Sequence, residues 1–203
     1  MPDHQPTNGR ALNTCACARR RQWLATAAAT ALAVLAPARA AAAAVADPAK
    51  LPAAVGDILA FASWDNDGRA VTPADVVQDA APLVVYPCDP ASRLVREKSR
   101  LNQILLLRLD PTALNAATRA RAADGVIAYS AICTHAACAV SEWNATSRHL
   151  ICPCHSSEYD PAQGAMRVNG PAPRPLPALA LKRDGDRFVI AAPFSAAVGS
   201  NTP

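Results

Sequence analysis

Two short segments decide the fold of this chain, CTHAAC at residues 133–138 and CPCHSS at residues 152–157. They place four cysteines and two histidines within 25 residues, as Cys-x-His-x-x-Cys followed by Cys-x-Cys-His. A structural zinc site usually pairs its ligands as C-x2-C and H-x3-H, unlike this pattern. A two-iron cluster with one thiolate-bound and one imidazole-bound iron would use two cysteines and two histidines, leaving two cysteines over. A zinc site, a disulfide knot, a catalytic thiol and a redox centre are the alternatives.

The two segments resemble the signature of the Rieske iron–sulfur proteins, C-x-H-x-x-C…C-x-C-H, and the resemblance covers about residues 126–178. It implies one [2Fe–2S] cluster per chain, with one iron bound by two cysteines and the solvent-facing iron bound by two histidines. The implied ligands are Cys133, Cys152, His135 and His155. The resemblance also implies a disulfide between Cys138 and Cys154. Neutral imidazoles in place of thiolates raise the potential of such centres into the range of about −150 to +300 mV.

Residues after the second segment resemble those of high-potential members of the family. Ser157 and Tyr159 stand where such members donate hydrogen bonds to a bridging sulfide and a cysteine sulfur. These bonds would favour the reduced, more negative cluster. The stretch NGPAPRPLP at residues 169–177 resembles the proline loop of the family, and a stiff lid is expected from Gly170, Pro171 and Pro173. Alternatively, Ser157 and Tyr159 are ordinary turn residues, and the proline stretch is only a linker between strands.

Two positions depart from the family pattern. Ser156 follows the second histidine where many members have glycine, and a positive φ there would strain serine. Ala136 and Ala137 replace the more usual Leu-Gly of the first loop. In quinol-oxidising complexes that leucine helps to seat the loop at the quinone pocket, so its absence weakens the assignment to a quinol oxidase.

The rest of the sequence predicts a mainly β fold, because short apolar runs alternate with turn signals. We expect a Rieske-type antiparallel β sandwich with a small cluster-binding subdomain and one inserted helix. The base comprises residues 47–125 and 179–195, the cluster-binding part about residues 126–178, and the whole domain residues 47–203. The inserted helix is predicted to begin after Asp110 and to end at Asp124. An apolar strand at residues 83–86 is predicted to end before Pro87.

The N-terminal residues 1–46 read as an export signal or a membrane anchor. They carry five arginines and one aspartate, which gives 5 − 1 = +4, whereas residues 47–203 carry 15 basic and 15 acidic residues. The stretch RRQWL at residues 20–24 resembles the twin-arginine signal, whose pathway exports folded proteins. We therefore expect a periplasmic domain, with the segment either cleaved or retained in the inner membrane. The neutral folded part argues against nucleic acid as a partner.

These features predict an electron-transfer subunit rather than a stand-alone enzyme, and no catalytic residues are assigned. The small subunit of arsenite oxidase is the preferred family resemblance. It implies a larger subunit with a molybdopterin cofactor and a cytochrome c or cupredoxin as acceptor. The alternative is the Rieske subunit of a cytochrome bc1-type ubiquinol–cytochrome c reductase, whose partner is a cytochrome b. A dioxygenase ferredoxin is disfavoured because that class is cytoplasmic and lacks the extra cysteine pair.

Overall fold

The computed structural model of this chain describes residues 46–200. The predicted signal or anchor, residues 1–46, lies outside the described residues except for Ala46. Among residues 46–200, no helix is both long and apolar enough to cross a membrane.

Ten strands and one short α-helix form over residues 46–200. In chain order they are β1 (Ile58–Ala60), β2 (Leu83–Cys88), β3 (Ile104–Arg108), α1 (Ala116–Arg119), β4 (Val126–Ser130), β5 (Glu142–Asn144), β6 (His149–Cys152), β7 (Ser157–Asp160), β8 (Met166–Asn169), β9 (Ala178–Asp184) and β10 (Arg187–Ala192).

Six of these strands close into a barrel in the order β1-β10-β9-β4-β3-β2, with every neighbouring pair antiparallel. Apolar side chains fill its interior, and Leu59, Leu106 and Phe188 have no exposed surface. Such burial is the main favourable term in folding. The register of β3 with β4 sets Ile104 opposite Ser130. The start of β3 is thereby placed beside the chain that leaves β4 toward the first cysteine segment.

The remaining four strands form an antiparallel sheet in the order β5-β6-β7-β8. The CPCHSS segment is the turn between β6 and β7, and Cys152 pairs with Ser157 across it. A buried hydrogen bond joins this region to the barrel, because the Tyr129 hydroxyl on β4 donates to the carbonyl oxygen of Pro161 at 2.7 Å. All four residues of the edge strand β8 are exposed.

The predicted class, mainly β with antiparallel sheets and one small helix, is confirmed. The predicted start of the helix after Asp110 is wrong, since α1 begins at Ala116. The Asp110 carboxylate instead accepts the Thr112 N–H at 2.8 Å and caps a local turn. The Asn115 side chain accepts the Thr118 N–H at 2.8 Å and caps the helix.

Strand β2 runs through Pro87 to Cys88, so the end predicted before Pro87 is wrong. Proline lacks an N–H, but its carbonyl still accepts the N–H of Arg96 at 2.8 Å. The strand therefore keeps part of its hydrogen bonding where a break was predicted.

Strand pairing also places β4 in the barrel, whereas the predicted boundary assigned residues 126–130 to the cluster-binding part. The predicted domain boundaries stay predictions.

Candidate metal centre

The first cysteine segment is a closed loop that follows β4. The N–H of Cys133 donates to the carbonyl of Cys138 at 2.8 Å, and the N–H of Ala137 donates to the carbonyl of Cys133 at 3.1 Å. An isolated bridge pairs Ile132 with Ala139 at its base. The loop is therefore folded back on itself, and it holds His135 between two cysteines.

A disulfide between Cys138 and Cys154 joins this loop to the β6–β7 turn. The sulfur atoms of Cys138, Cys152 and Cys154 lie within 4.8 Å of one another. Two of these three sulfurs are bonded to each other, so Cys152 alone in this group retains a thiol for a metal. The sulfur grouping therefore differs from the predicted ligand set, which uses Cys133 as the second thiol.

Cys133 and Cys152 are the buried free thiols of the two loops. Burial raises the pKa of Cys152, and the nearby Cys133 raises it further, whereas the N–H groups of Cys154 and His155 act in the opposite direction. Two adjacent thiolates in a buried site are unfavourable without a cation, and a bound metal ion reverses this preference. The pair therefore fits iron ligation better than it fits two free thiols.

The two histidines face each other across the same site. The ring centroids of His135 and His155 are 4.7 Å apart, with the rings nearly perpendicular. The Nδ1 atom of His135 is buried and has no hydrogen-bond partner among the described residues. An unpaired buried nitrogen is costly unless something binds it, and a metal ion would do so. His155 is exposed, as expected for the solvent-facing side of a cluster.

Tyr159 on β7 contacts the first thiol directly. Its hydroxyl oxygen lies 3.2 Å from Sγ of Cys133, and both side chains are buried. Burial raises the pKa of Tyr159 above its usual value, and the hydrogen bond with Cys133 adds to this shift. The phenol therefore keeps its proton and can donate it to a Cys133 thiolate.

Ser157 is also buried, at the first position of β7. Its hydroxyl oxygen accepts the N–H of Ala172 at 3.2 Å. A hydroxyl that accepts one bond still has its own hydrogen to donate. Ser157 therefore connects the proline segment to the site and keeps a donor, while its predicted bond to a sulfide stays a prediction.

The proline segment packs against both cysteine loops. Gly170 has φ +84°, and a Cβ on it would lie only 2.5 Å from Cα of Ser157. The Thr134 hydroxyl of the first loop donates to the carbonyl of Arg174 at 2.7 Å. Pro171 and Pro173 remain exposed. The segment thus has the contacts of a cover, although the role of these prolines over a cluster stays a prediction.

One residue in each departure from the family pattern has left-handed backbone. Ser156 has φ +53° and Ala137 has φ +54°. A residue with a Cβ pays roughly 1–2 kcal/mol for this conformation. Ser156 therefore has the positive φ that was expected to strain a serine at this position. Ala137 has the same kind of backbone strain in the other loop.

Sequence reasoning missed three contributors to the site. Arg100 donates to the carbonyl of Ala137, and Gly199 near the C-terminus is buried beside the same loop. Thr134 occupies a variable position of the motif, but it has no exposed surface and bridges to the proline segment. Of the three, only Thr134 could have been suggested by the sequence, because it lies between Cys133 and His135 in the first motif.

The remaining described cysteine and histidine lie outside this arrangement. Cys88 is buried at the end of β2, and burial raises the pKa of its thiol. Nδ1 of His149 lies 3.8 Å from a carboxylate oxygen of Glu158 on the neighbouring strand. Neither observation indicates a metal ligand.

The model of the family described as Rieske [2Fe–2S] domain matches residues 79–180. The cytochrome bc1 complex Rieske iron–sulfur subunit of Streptomyces lividans is 34% identical over 89 residues, which is 43% of this chain and 52% of that protein. A Rieske subunit named for a respiratory nitrate reductase, from Haloferax mediterranei, is 29% identical over 166 residues, 71% of this chain and 74% of that protein. The alignments span about half of the first curated relative and a quarter of the second.

Two solved structures also match. The soluble domain of the Rieske protein II from Sulfolobus acidocaldarius has a TM-score of 0.35 and 27% identity, over 47% of this chain and 65% of that one. The ferredoxin of carbazole 1,9a-dioxygenase from Nocardioides aromaticivorans has a TM-score of 0.41 and 20% identity, over 62% and 96%. The family match covers half of the chain and includes both cysteine segments, so this chain belongs to the Rieske [2Fe–2S] domain family and its cofactor is a [2Fe–2S] cluster.

Proposed function

We propose that this chain is the one-electron transfer subunit of a periplasmic respiratory oxidoreductase complex. One observation carries the proposal: the disulfide joins two loops that present two buried thiols and two facing imidazoles. When bound, the [2Fe–2S] cluster supplies reversible one-electron transfer. Cys133, Cys152, His135 and His155 are the proposed ligands.

The surrounding donors support a high-potential centre. The Tyr159 hydroxyl can donate to the Cys133 sulfur, and Ser157 keeps a free hydroxyl hydrogen. Hydrogen bonds to ligand sulfur offset the negative charge that reduction adds, and so favour the reduced state. Such a centre suits the acceptance of electrons from a moderately reducing donor.

Electrons are proposed to enter and leave at the exposed histidine edge. His155 is exposed, and so are Pro171 and Pro173, which follow Gly170, the residue that packs against Ser156 and Ser157. A partner could approach the exposed ligand and the rigid proline rings closely. Few flexible side chains would have to become ordered, so the entropy cost of docking would be small. The proposed electron donor is a larger redox subunit, and the proposed electron acceptor is a cytochrome c or a cupredoxin.

Two kinds of larger subunit are considered. A molybdopterin enzyme, as in the arsenite oxidase family, is preferred because Ala136 stands where quinol-oxidising members have leucine. The relative named for a respiratory nitrate reductase also aligns with 71% of this chain, compared with 43% for the first bc1 relative. A cytochrome b partner is the second candidate, and the Cys133–Tyr159 contact favours it.

The periplasmic location is proposed from the twin-arginine-like stretch at residues 20–24. Replacement of Arg20 and Arg21 by lysine is expected to retain the protein in the cytoplasm, as measured by cell fractionation. An unchanged distribution would contradict export by the twin-arginine route. The matched control is the same double replacement at Arg119 and Arg121 of the folded domain.

The function is tested by metal analysis and co-purification. The purified protein is expected to be coloured, to contain two irons and two labile sulfides per chain, and to give the EPR signal of a reduced Rieske-type centre. A preparation that contains only zinc would contradict the proposal. Purification from the native membrane or periplasmic fraction then identifies the larger subunit as a molybdopterin enzyme or a cytochrome b.

A further inference from the structure

Arg100 contacts the first cysteine loop from outside both motifs. Its guanidinium donates to the carbonyl oxygen of Ala137, two residues after His135. We propose that Arg100 is a positioning residue of the iron centre, which holds the turn carrying His135 in the conformation that presents the imidazole to the metal. This inference rests on the proposed ligand role of His135.

The barrel brings Arg100 to this loop. Ile104 at the start of β3 pairs with Ser130 at the end of β4, and the N–H of Ala131 donates to the carbonyl of Gln103 at 2.9 Å. The short 3-10 turn Arg100–Asn102 therefore lies beside the chain that leaves β4. Nδ2 of Asn102 donates to the carbonyls of Leu51 and Arg96, each at 2.8 Å, and fixes this turn. The backbone that carries Arg100 is therefore held in place by the hydrogen bonds of Asn102.

The loop needs an external restraint because Ala137 has left-handed backbone, with φ +54°. An alanine in this conformation tends to relax toward negative φ. The internal bonds of the loop use the carbonyls of Cys133 and Cys138, but they do not use the Ala137 carbonyl. The charged donor of Arg100 binds that carbonyl, and a charge-assisted bond is stronger than a neutral one. Arg100 therefore opposes the relaxation that would move His135.

The C-terminal segment contacts the same loop at Ala137. A Cβ built on Gly199 would lie 3.9 Å from Cβ of Ala137 and 3.9 Å from the Leu101 side chain. The Arg174 guanidinium donates to the carbonyl of Gly199, and the Thr134 hydroxyl donates to the carbonyl of Arg174. The C-terminal segment and the proline segment thus add their contacts to the restraint that the Arg100 bond places on the loop.

The test uses a double-mutant cycle in the full-length iron-loaded protein. Arg100→Ala is expected to speed loss of the visible absorbance in a chelator roughly tenfold, because a hydrogen bond from a charged group is removed. It is also expected to change the g values of the reduced centre, which report the histidine-bound iron. Arg100→Lys is expected to restore most of both properties. In an Ala137→Gly background the effect of Arg100→Ala is expected to fall below about threefold, since glycine adopts positive φ freely.

Arg187→Ala is the matched control, because Arg187 is an exposed arginine at the β9–β10 hairpin whose loss changes the charge equally. It is expected to leave the cluster-loss rate and the spectrum unchanged. Equal effects of Arg100→Ala in the alanine and glycine backgrounds, or no effect at all, would overturn the positioning role while the cluster assignment stands. Absence of iron from the unmutated protein would instead contradict the ligand set, and with it this inference.

Discussion

The hydroxyl oxygen of Tyr159 lies 3.2 Å from Sγ of Cys133, and neither side chain is exposed. The two residues are 26 positions apart and come from different structural units, a strand of the four-stranded sheet and the loop after β4. Leu150 of β6 lies opposite Tyr159, and both side chains belong to the same buried cluster as Cys133. One buried phenol therefore relates the sheet to a proposed iron ligand.

Removal of this hydroxyl should lower the reduction potential. Tyr159→Phe deletes a donor to a proposed thiolate ligand, and a hydrogen bond to a charged group contributes about 1.5 kcal/mol. If the bond is stronger by this amount in the reduced state, its removal corresponds for one electron to a decrease of roughly 60 mV, since a tenfold change in the equilibrium constant is about 59 mV. A redox titration followed by visible absorbance measures it. The control is Tyr86→Phe, which removes a buried hydroxyl that accepts from Gln103 in the barrel; equal potentials in both variants would contradict the donor role.

The contribution of Tyr159 should persist at high pH. Burial, aided by the hydrogen bond with Cys133, raises the pKa of Tyr159 above its ordinary value. The phenol is therefore protonated throughout the range in which free tyrosine begins to lose its proton, near pH 10. We expect the difference in potential between the unmutated protein and Tyr159→Phe to stay constant from pH 7 to pH 10. A difference that shrinks within this range would show that the phenol ionises early.

Gly170 should be intolerant of a side chain. A Cβ at this position would lie 2.5 Å from Cα of Ser157 and 2.7 Å from the carbonyl of Ser156, so Gly170→Ala must displace the proline segment. We expect a faster loss of the cluster and a free energy of unfolding lower by about 2–4 kcal/mol. Gly185→Ala is the control, since Gly185 also has positive φ, +58°, but nothing lies within 4 Å of its Cβ position. Equal losses in both variants would mean that backbone strain alone is responsible.

The sequence predicts the residues of the two motifs better than it predicts the residues from other elements that contact the motif loops. The resemblance of the two motifs to the family signature predicts the cysteine and histidine ligands, and the role of Tyr159 is implied by its position after the second motif. Arg100 was unpredictable because its position depends on the pairing of β3 with β4, which no local pattern encodes. The helix start was misplaced because both Asp110 and Asn115 have side chains that can cap a turn or a helix.

The disulfide between Cys138 and Cys154 should be needed to retain the cluster rather than to fold the barrel. It closes a loop with a sequence separation of 16 and joins the two loops that carry the proposed ligands. A closed loop of this length contributes about 3 kcal/mol by restricting the unfolded chain. The double variant Cys138→Ala, Cys154→Ala is therefore expected to lower the free energy of unfolding by about 3 kcal/mol and to lose iron faster in a chelator.

Urea unfolding and iron release measure these two effects separately. Cys88→Ala is the matched control, because it removes a buried cysteine that is free and lies at the end of a barrel strand. It is expected to retain iron at the unmutated rate. If the double variant also retained iron at that rate, the noncovalent contacts of the proline segment with Thr134 and Ser157 would be sufficient to hold the two loops together.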